Sequence, residues 1–176
     1  MTDDGGLVER YLNFVYQPIF DEKRKNKSIL IVASDVTDQV NARKSVTEIN
    51  NRLEIALDAS KLGSTEVELS TGIMTSNAQF KYNYGFLPHE EFNYSDLFET
   101  MLPEYRESVK ALVQEAIHTN GIYKAEYPVK WKDGSIHWIQ AHGRPRYDDN
   151  GIANRMVGMT ADITEKKLAE QRKDDF

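Results

Sequence analysis

The chain contains no cysteine. That excludes disulfides, thiolate zinc sites, iron–sulfur clusters, a cysteine nucleophile and a cysteinyl adduct to a flavin. Long apolar runs are missing too. The longest unbroken one goes from Ile29 to Ala33, against the roughly 20 residues that a membrane-spanning helix needs. Basic charge is not in excess: 22 Lys and Arg stand against 28 Asp and Glu, a net charge of -6. A broad electrostatic grip on nucleic acid or anionic lipid is therefore not expected. The start, MTDDGGLVER, has neither a basic n-region nor an apolar h-region and does not read as a signal peptide. A glycine-rich phosphate loop, an HExxH motif and a Gly-x-Ser-x-Gly elbow are all lacking, so no enzyme active site is expected in this chain.

What is present has a globular balance, with 40% apolar, 28% charged and 10% aromatic residues. The most informative feature is an internal repeat. Written without a gap, Leu12 to Lys44 lies above Ile139 to Gln171. Pro18 meets Pro145, Asp21 meets Asp148, Asp35 meets Asp162, Thr37 meets Thr164 and Ala42 meets Ala169. Each copy reads as strand, charged turn, strand, an Asp-Val-Thr or Asp-Ile-Thr triplet, then a helix. The second copy has enough chain before it to complete a domain; the first has almost none.

The spacing predicts strands over 64–69 and 73–76 around Thr71-Gly72, and short helical pieces over 77–101 broken by Gly85 and Pro88. An amphipathic helix is expected from Pro103 to Thr119, ended by Asn120-Gly121. From Tyr123 to Lys132 apolar and charged residues alternate, and Pro128 places that strand at a sheet edge. Asp133-Gly134 and Asn150-Gly151 are hairpin turns, giving strands over 135–147 and 153–161. The fold class is α+β, an antiparallel sheet with helices on one face. A linker helix is predicted over 37–62. Val46, Ile49, Leu53 and Ala56 form a short heptad-like seam on it, suited to packing on its own domains or to pairing with a second chain.

These residues carry a family resemblance. The stretch from Tyr123 to Glu170 resembles the C-terminal (PAC) half of a PAS domain, through Lys132-Asp133-Gly134-Ser135, Trp138-Ile139, Tyr147-Asp148, Asn150-Gly151, Val157-Gly158 and Asp162-Ile163-Thr164-Glu165. Upstream, Asn77, Ala78, Phe80 and Tyr84-Gly85-Phe86 match the pattern after the second PAS strand. Leu102-Pro103-Glu104 departs from the His-Pro-Asp that many PAS domains carry. The first copy resembles the PAC half of a preceding PAS domain, with EKRKNK in place of a glycine turn. The final QRKDDF resembles the run into the phosphoacceptor helix of sensor histidine kinases.

The resemblance implies a five-stranded sheet, an N-terminal β-hairpin and a long linker helix. It implies four parts: 1–36, the end of an incomplete PAS domain; 37–62, a helical linker; 63–163, a complete PAS domain; and 164–176, an outgoing signalling helix. The implied function is a sensory or signal-relay module of a multidomain cytoplasmic protein, first of all a two-component sensor histidine kinase, working as a homodimer through its helices. The alternatives are a ligand-free dimerisation or spacer module, or the regulatory domain of another output enzyme such as a cyclic-dinucleotide synthase. The parent may carry membrane segments elsewhere.

No cofactor, metal or nucleic acid is expected, and an unidentified small-molecule ligand is left open. Residues expected to line the PAS cavity are Tyr84, Met101, Val113, Ile117, Trp138 and Met159; a filled apolar core is the plainer reading of the same set. Asp35, Thr37, Asp162 and Thr164 are candidate signal-relay residues. The plain reading is a threonine N-cap beside an acid at a strand end. His118, near the end of the long helix, has a haem-ligand reading and a plain one as a helix-end histidine. His137 and His142 are expected on opposite sheet faces, unable to share a metal. The apolar strands of residues 7–34 need cover, and pairing with another copy of the chain is favoured.

Overall fold

A computed structural model of the protein describes residues 7–23 and 25–174. The chain divides into two compact units, Met1–Glu54 and Ile55–Phe176. In the first, β1 (Leu12–Phe20) and β2 (Asn26–Asp35) form an antiparallel hairpin. Helix α1 (Thr37–Ala59) follows and continues into the second unit. The predicted end at Leu62 is too late: Lys61 turns to a left-handed φ of 53° and stops the helix. No residue of α1 is buried, and Val46, Ile49, Leu53 and Ala56 are all exposed.

The second unit holds β3 (Gly63–Glu68), β4 (Met74–Ser76), α2 (Ala78–Asn83), α3 (Tyr94–Thr100), α4 (Pro103–Thr119), β5 (Tyr123–Lys130), β6 (Ile136–Tyr147), β7 (Ala153–Asp162) and α5 (Thr164–Asp174). The five strands pair antiparallel in the order β4-β3-β7-β6-β5, as the fold class requires. Helix α4 has the predicted bounds. Pro103 occupies its first turn, where a missing N–H costs nothing, and Asn120 takes a left-handed cap with φ 52°. Strand β5 lies at the sheet edge that Pro128 demands. Its carbonyl there accepts the Leu102 N–H at 3.1 Å, which ties the start of α4 to the edge.

Period-two alternation decides which side chains reach the core. On β6 the inward positions are Ile139, Ala141, Gly143 and Pro145; on β7 they are Met156, Gly158 and Thr160. Tyr127 and Val129 of β5 and Val67 of β3 join them, facing Phe80, Tyr84, Phe92 and the Val109, Val113, Ala116 stripe of α4. Burying each such large side chain contributes about 1.5–3 kcal/mol. Gly143 is required: a Cβ there would lie 2.0 Å from a ring carbon of Tyr123.

The same alternation corrects two sequence expectations. Trp138 and Met159 have the wrong parity to line the interior. Trp138 pairs with Pro128 on the outer face, meets the Tyr105 ring edge-on at 6.0 Å and carries Lys167 over its own ring. Met159 is 38% exposed on the outer face of β7. His137 and His142 do fall on opposite faces. No helix among the described residues is long and apolar enough to cross a membrane.

Candidate functional site

Two places in the second unit gather functional chemistry. The first is the space between sheet and helices. Its open volume is about 30 Å³, lined by Thr65, Tyr84, Tyr94, Val113, Tyr123 and Thr160 among others. That is room for about one water molecule. Of the residues expected here, Tyr84 and Val113 line the cavity. Met101 is wholly buried in the aromatic cluster, and Ile117 is half-buried against Val67, Val113 and Met156.

Phe80, Tyr84, Phe92 and Phe86 pack in a chain of tilted ring contacts with centroids 4.5–5.9 Å apart. Inside it the Tyr84 and Tyr127 hydroxyls share a hydrogen bond of 2.8 Å. Burial, then the neighbouring Tyr127, pushes Tyr84 well above the usual phenol range. Burial pushes Tyr127 up to about 12, against the lowering effect of its bond to Tyr84. Both stay protonated at neutral pH, so one hydroxyl donates and the other accepts. His118 is exposed, and its ring bonds the Gln114 carbonyl one turn back along α4.

The second place is the junction of β7 with α5. The Thr164 hydroxyl was expected to cap α5. Instead it accepts the Trp138 N–H at 2.9 Å and donates to the Asp162 carboxylate. The same carboxylate oxygen of Asp162 accepts the Thr164 N–H at 2.9 Å, so the acid does the capping. The other oxygen meets His137 Nδ1 at 2.9 Å. Ile163 N–H donates to the Trp138 carbonyl at 2.8 Å, and Lys167 N–H to the Ile163 carbonyl at 3.0 Å. The first turn of α5 is thus stitched to β6 as well as to β7.

His137 lies flat on Trp131, with ring centres 3.5 Å apart. Trp131 donates to the Asn83 carbonyl at 3.2 Å. Asn83, buried, donates to the Thr160 carbonyl and hydroxyl at 3.1 and 3.0 Å. Trp131, His137, Asp162, Thr164 and Glu165 border a surface cleft of about 480 Å³, together with Lys61 just past the end of α1. Among the described residues no group of acids and histidines is arranged to hold a metal ion.

The first unit repeats this junction. The Thr37 hydroxyl accepts the Tyr11 N–H at 2.9 Å, and Asp35 accepts the Thr37 N–H at 3.0 Å. Val36 N–H donates to the Tyr11 carbonyl at 2.9 Å. Arg10 donates to the second Asp35 oxygen at 2.7 Å, at the position that His137 holds in the other copy. Thr37 through its hydroxyl and amide, then Arg10, hold Asp35 down to about 2. The strand registers agree as well. Leu12 faces Asp35 and Ile139 faces Asp162, and each hairpin shifts register at the corresponding residue pair, Ile19/Phe20 and Arg146/Tyr147.

Sequence reasoning found Asp35, Thr37, Asp162 and Thr164 and missed their partners. Extending the repeat two residues towards the N-terminus would have aligned Tyr11 with Trp138 and Arg10 with His137. Asn83 and Trp131 left no such signal. The seam residues Val46, Ile49, Leu53 and Ala56 lie outside both places. Of the kinase-like ending, Asp175 and Phe176 lie outside the described residues.

Comparison with known proteins gives the following. A family model described as the PAS fold matches residues 73–160, half of the chain. A protein named "Probable diguanylate cyclase DgcE", from Escherichia coli K12, is 26% identical over 134 residues, covering 74% of this chain and 12% of that protein. A blue-light-activated histidine kinase from Brucella anthropi is 23% identical over 124 residues, covering 70% of this chain and 25% of that protein. The chain therefore spans a quarter or less of the length of these curated relatives. Among solved structures, a sensory box histidine kinase/response regulator from Burkholderia thailandensis aligns with a TM-score of 0.61 at 27% identity, covering 70% of this chain and 92% of that one. The N-terminal domain of a diguanylate cyclase with PAS/PAC sensor from Marinobacter aquaeolei aligns with a TM-score of 0.55 at 20% identity, covering 60% and 98%.

Proposed function

The chain belongs to the PAS fold family, and on that premise we propose that it is a relay module within a larger signalling protein. In this reading residues 63–163 are one PAS domain and 164–176 its outgoing helix. Residues 1–36 end a preceding domain of the same kind, joined through the helix of residues 37–62. The observation that carries the reading is the repeated junction. Both helices begin on the same set of bonds: the Asp carboxylate accepts the Thr amide, and the Thr hydroxyl accepts a backbone N–H from the first strand of the hairpin (Trp138) or the residue just before it (Tyr11). A displacement of that strand must pull the helix start with it or break those bonds, which makes the joint a coupling between sheet and helix.

The nearly filled interior, at about 30 Å³, favours relay of a neighbour's state over storage of a ligand. The output enzyme in this reading is a cytoplasmic histidine kinase, working as a homodimer through the exposed seam of Val46, Ile49, Leu53 and Ala56. A diguanylate cyclase output is the second reading, supported by the Escherichia coli relative. The module itself needs no catalytic group in either.

The test is a chimera. The chain is placed before the catalytic part of a sensor histidine kinase, in place of that kinase's own PAS module, and autophosphorylation is measured. Thr164→Val is expected to change the rate several-fold while the far-ultraviolet circular dichroism stays the same. A rate equal to that of the unsubstituted chimera would reject the relay.

A further inference from the structure

The two helix junctions share their Asp and Thr but differ in what holds the second carboxylate oxygen. In the first copy it is Arg10, and a guanidinium keeps its charge throughout the physiological range. In the second it is His137, at 2.9 Å, and histidine is the side chain that changes charge between about pH 5 and 8. The side chains of His137 and Asp162 are 21% and 31% exposed, so the pair is partly sheltered from salt yet open to protons from the cleft.

The partners fix the roles of the ring nitrogens. An ionised Asp162 only accepts, so Nδ1 carries a proton. Nε2 lies 3.1 Å from the Ser135 hydroxyl oxygen. The proton of that hydroxyl goes to the Asp133 carboxylate, which also accepts the Ser135 N–H at 2.9 Å. The Ser135 hydroxyl and then its amide hold the Asp133 carboxyl below its ordinary value, so it remains an acceptor. With its one hydrogen committed, Ser135 can only accept from the ring. Both nitrogens of His137 therefore face acceptors, and only the doubly protonated ring satisfies them together.

A ring that has lost one proton keeps the other on Nδ1, where the Asp162 carboxylate lies. Nε2 then turns a lone pair on the Ser135 oxygen. Either Ser135 leaves Asp133 and donates to the ring, or the contact opens. The bond to Asp162 loses the attraction between opposite charges. The charged groups around the ring are Asp162 from the end of β7, Asp133 from the turn before β6, Glu165 from α5 and Lys61 from the turn after α1. Trp131, just past β5, covers one face of the ring without charge, and α2 contributes the Tyr82 phenol to the cleft.

We infer that His137 makes the joint between β7 and α5 proton-sensitive. One oxygen of Asp162 holds the first turn of α5 and the other holds His137 of β6. The charged ring clamps this bridge, and loss of its proton loosens α5 from the sheet. The first copy lacks the device, with Arg10 in the place of His137 and Val8 in the place of Ser135. The inference rests on the relay reading, because a loosened joint carries a signal only if α5 does.

The test has two arms. In the whole chain, the Thr164 amide and the His137 ring nitrogens are followed by heteronuclear NMR from about pH 5 to 8.5. The Thr164 amide shift is expected to move with the His137 ring in one transition, and to stay flat in His137→Arg and in His137→Gln, which can donate to Asp162 but cannot titrate. A ring that holds one charge state throughout, an amide that ignores the ring, or an amide that moves equally in both variants overturns the inference and leaves the relay reading standing. In the kinase chimera, the ratio of the unsubstituted rate to that of His137→Arg is expected to change several-fold between about pH 5.5 and 8, since pH effects on the kinase itself cancel. A constant ratio beside a several-fold effect of Thr164→Val overturns the inference alone. If Thr164→Val is silent as well, the relay reading fails and takes the inference with it.

Discussion

The hydroxyl of Thr164 accepts the backbone N–H of Trp138 at 2.9 Å, so the first residue of α5 is bonded to a strand rather than to its own helix. The Asp162 carboxylate supplies the cap that the threonine leaves unmade. Replacing Thr164 by valine keeps the volume and removes both hydroxyl bonds, stranding the Trp138 amide. The expected loss is about 1–3 kcal/mol in a urea melt. Hydrogen exchange should show the loss concentrated in the first turn of α5 and the start of β6, around Trp138. Equal loosening throughout the sheet would contradict the local role given to this bond.

Tyr84 and Tyr127 make the second testable pair. Tyr84→Phe or Tyr127→Phe leaves the remaining hydroxyl buried without a partner and should cost about 1–3 kcal/mol. Removing both should cost less than the sum of the singles, because two phenyl rings leave no orphan. A double-mutant cycle measures the difference, and additive costs would mean that the 2.8 Å contact stores no coupling.

Buried tyrosines set the alkaline limit, this pair together with Tyr123 and Tyr94, whose phenols burial also raises. The folded values of both tyrosines are raised, Tyr127 to about 12 and Tyr84 well above the usual phenol range. Their contribution is fully present below the unfolded tyrosine value of about 10. It is lost as pH rises through the folded values, because the unfolded chain gives up its protons first. Stability should therefore fall steadily from about pH 10 to 12, with tyrosinate absorbance appearing together with unfolding. Tyrosinate absorbance rising in the folded protein below pH 10 for these two residues would refute the buried pair.

Residues 55–174 should fold without the hairpin. Their sheet and aromatic cluster draw on no residue before Ile55. A truncation starting there is expected to melt cooperatively, followed by near-ultraviolet circular dichroism of Trp131 and Trp138. A broad, non-cooperative melt would place the hairpin within the PAS core.

Local chemistry was enough to read the elements. Helix α4 has its predicted bounds because Pro103 and Asn120 act within one turn of chain, and Pro128 placed β5 at the edge because a missing N–H is a property of one residue. The repeat exposed Asp35, Thr37, Asp162 and Thr164, since covalent spacing is visible without a fold. Tertiary structure alone decided what those residues touch. On β6 Asp162 meets His137 and Thr164 meets Trp138, 25 and 26 residues away along the chain. Trp138 and Met159 went to the outer face because sheet parity is fixed by pairing with neighbouring strands, not by side-chain size. Tyr84 and Tyr127 found each other across the sheet–helix gap, a distance that no periodicity encodes. Composition bounds what the core can be built from; only packing settles how much room is left inside it.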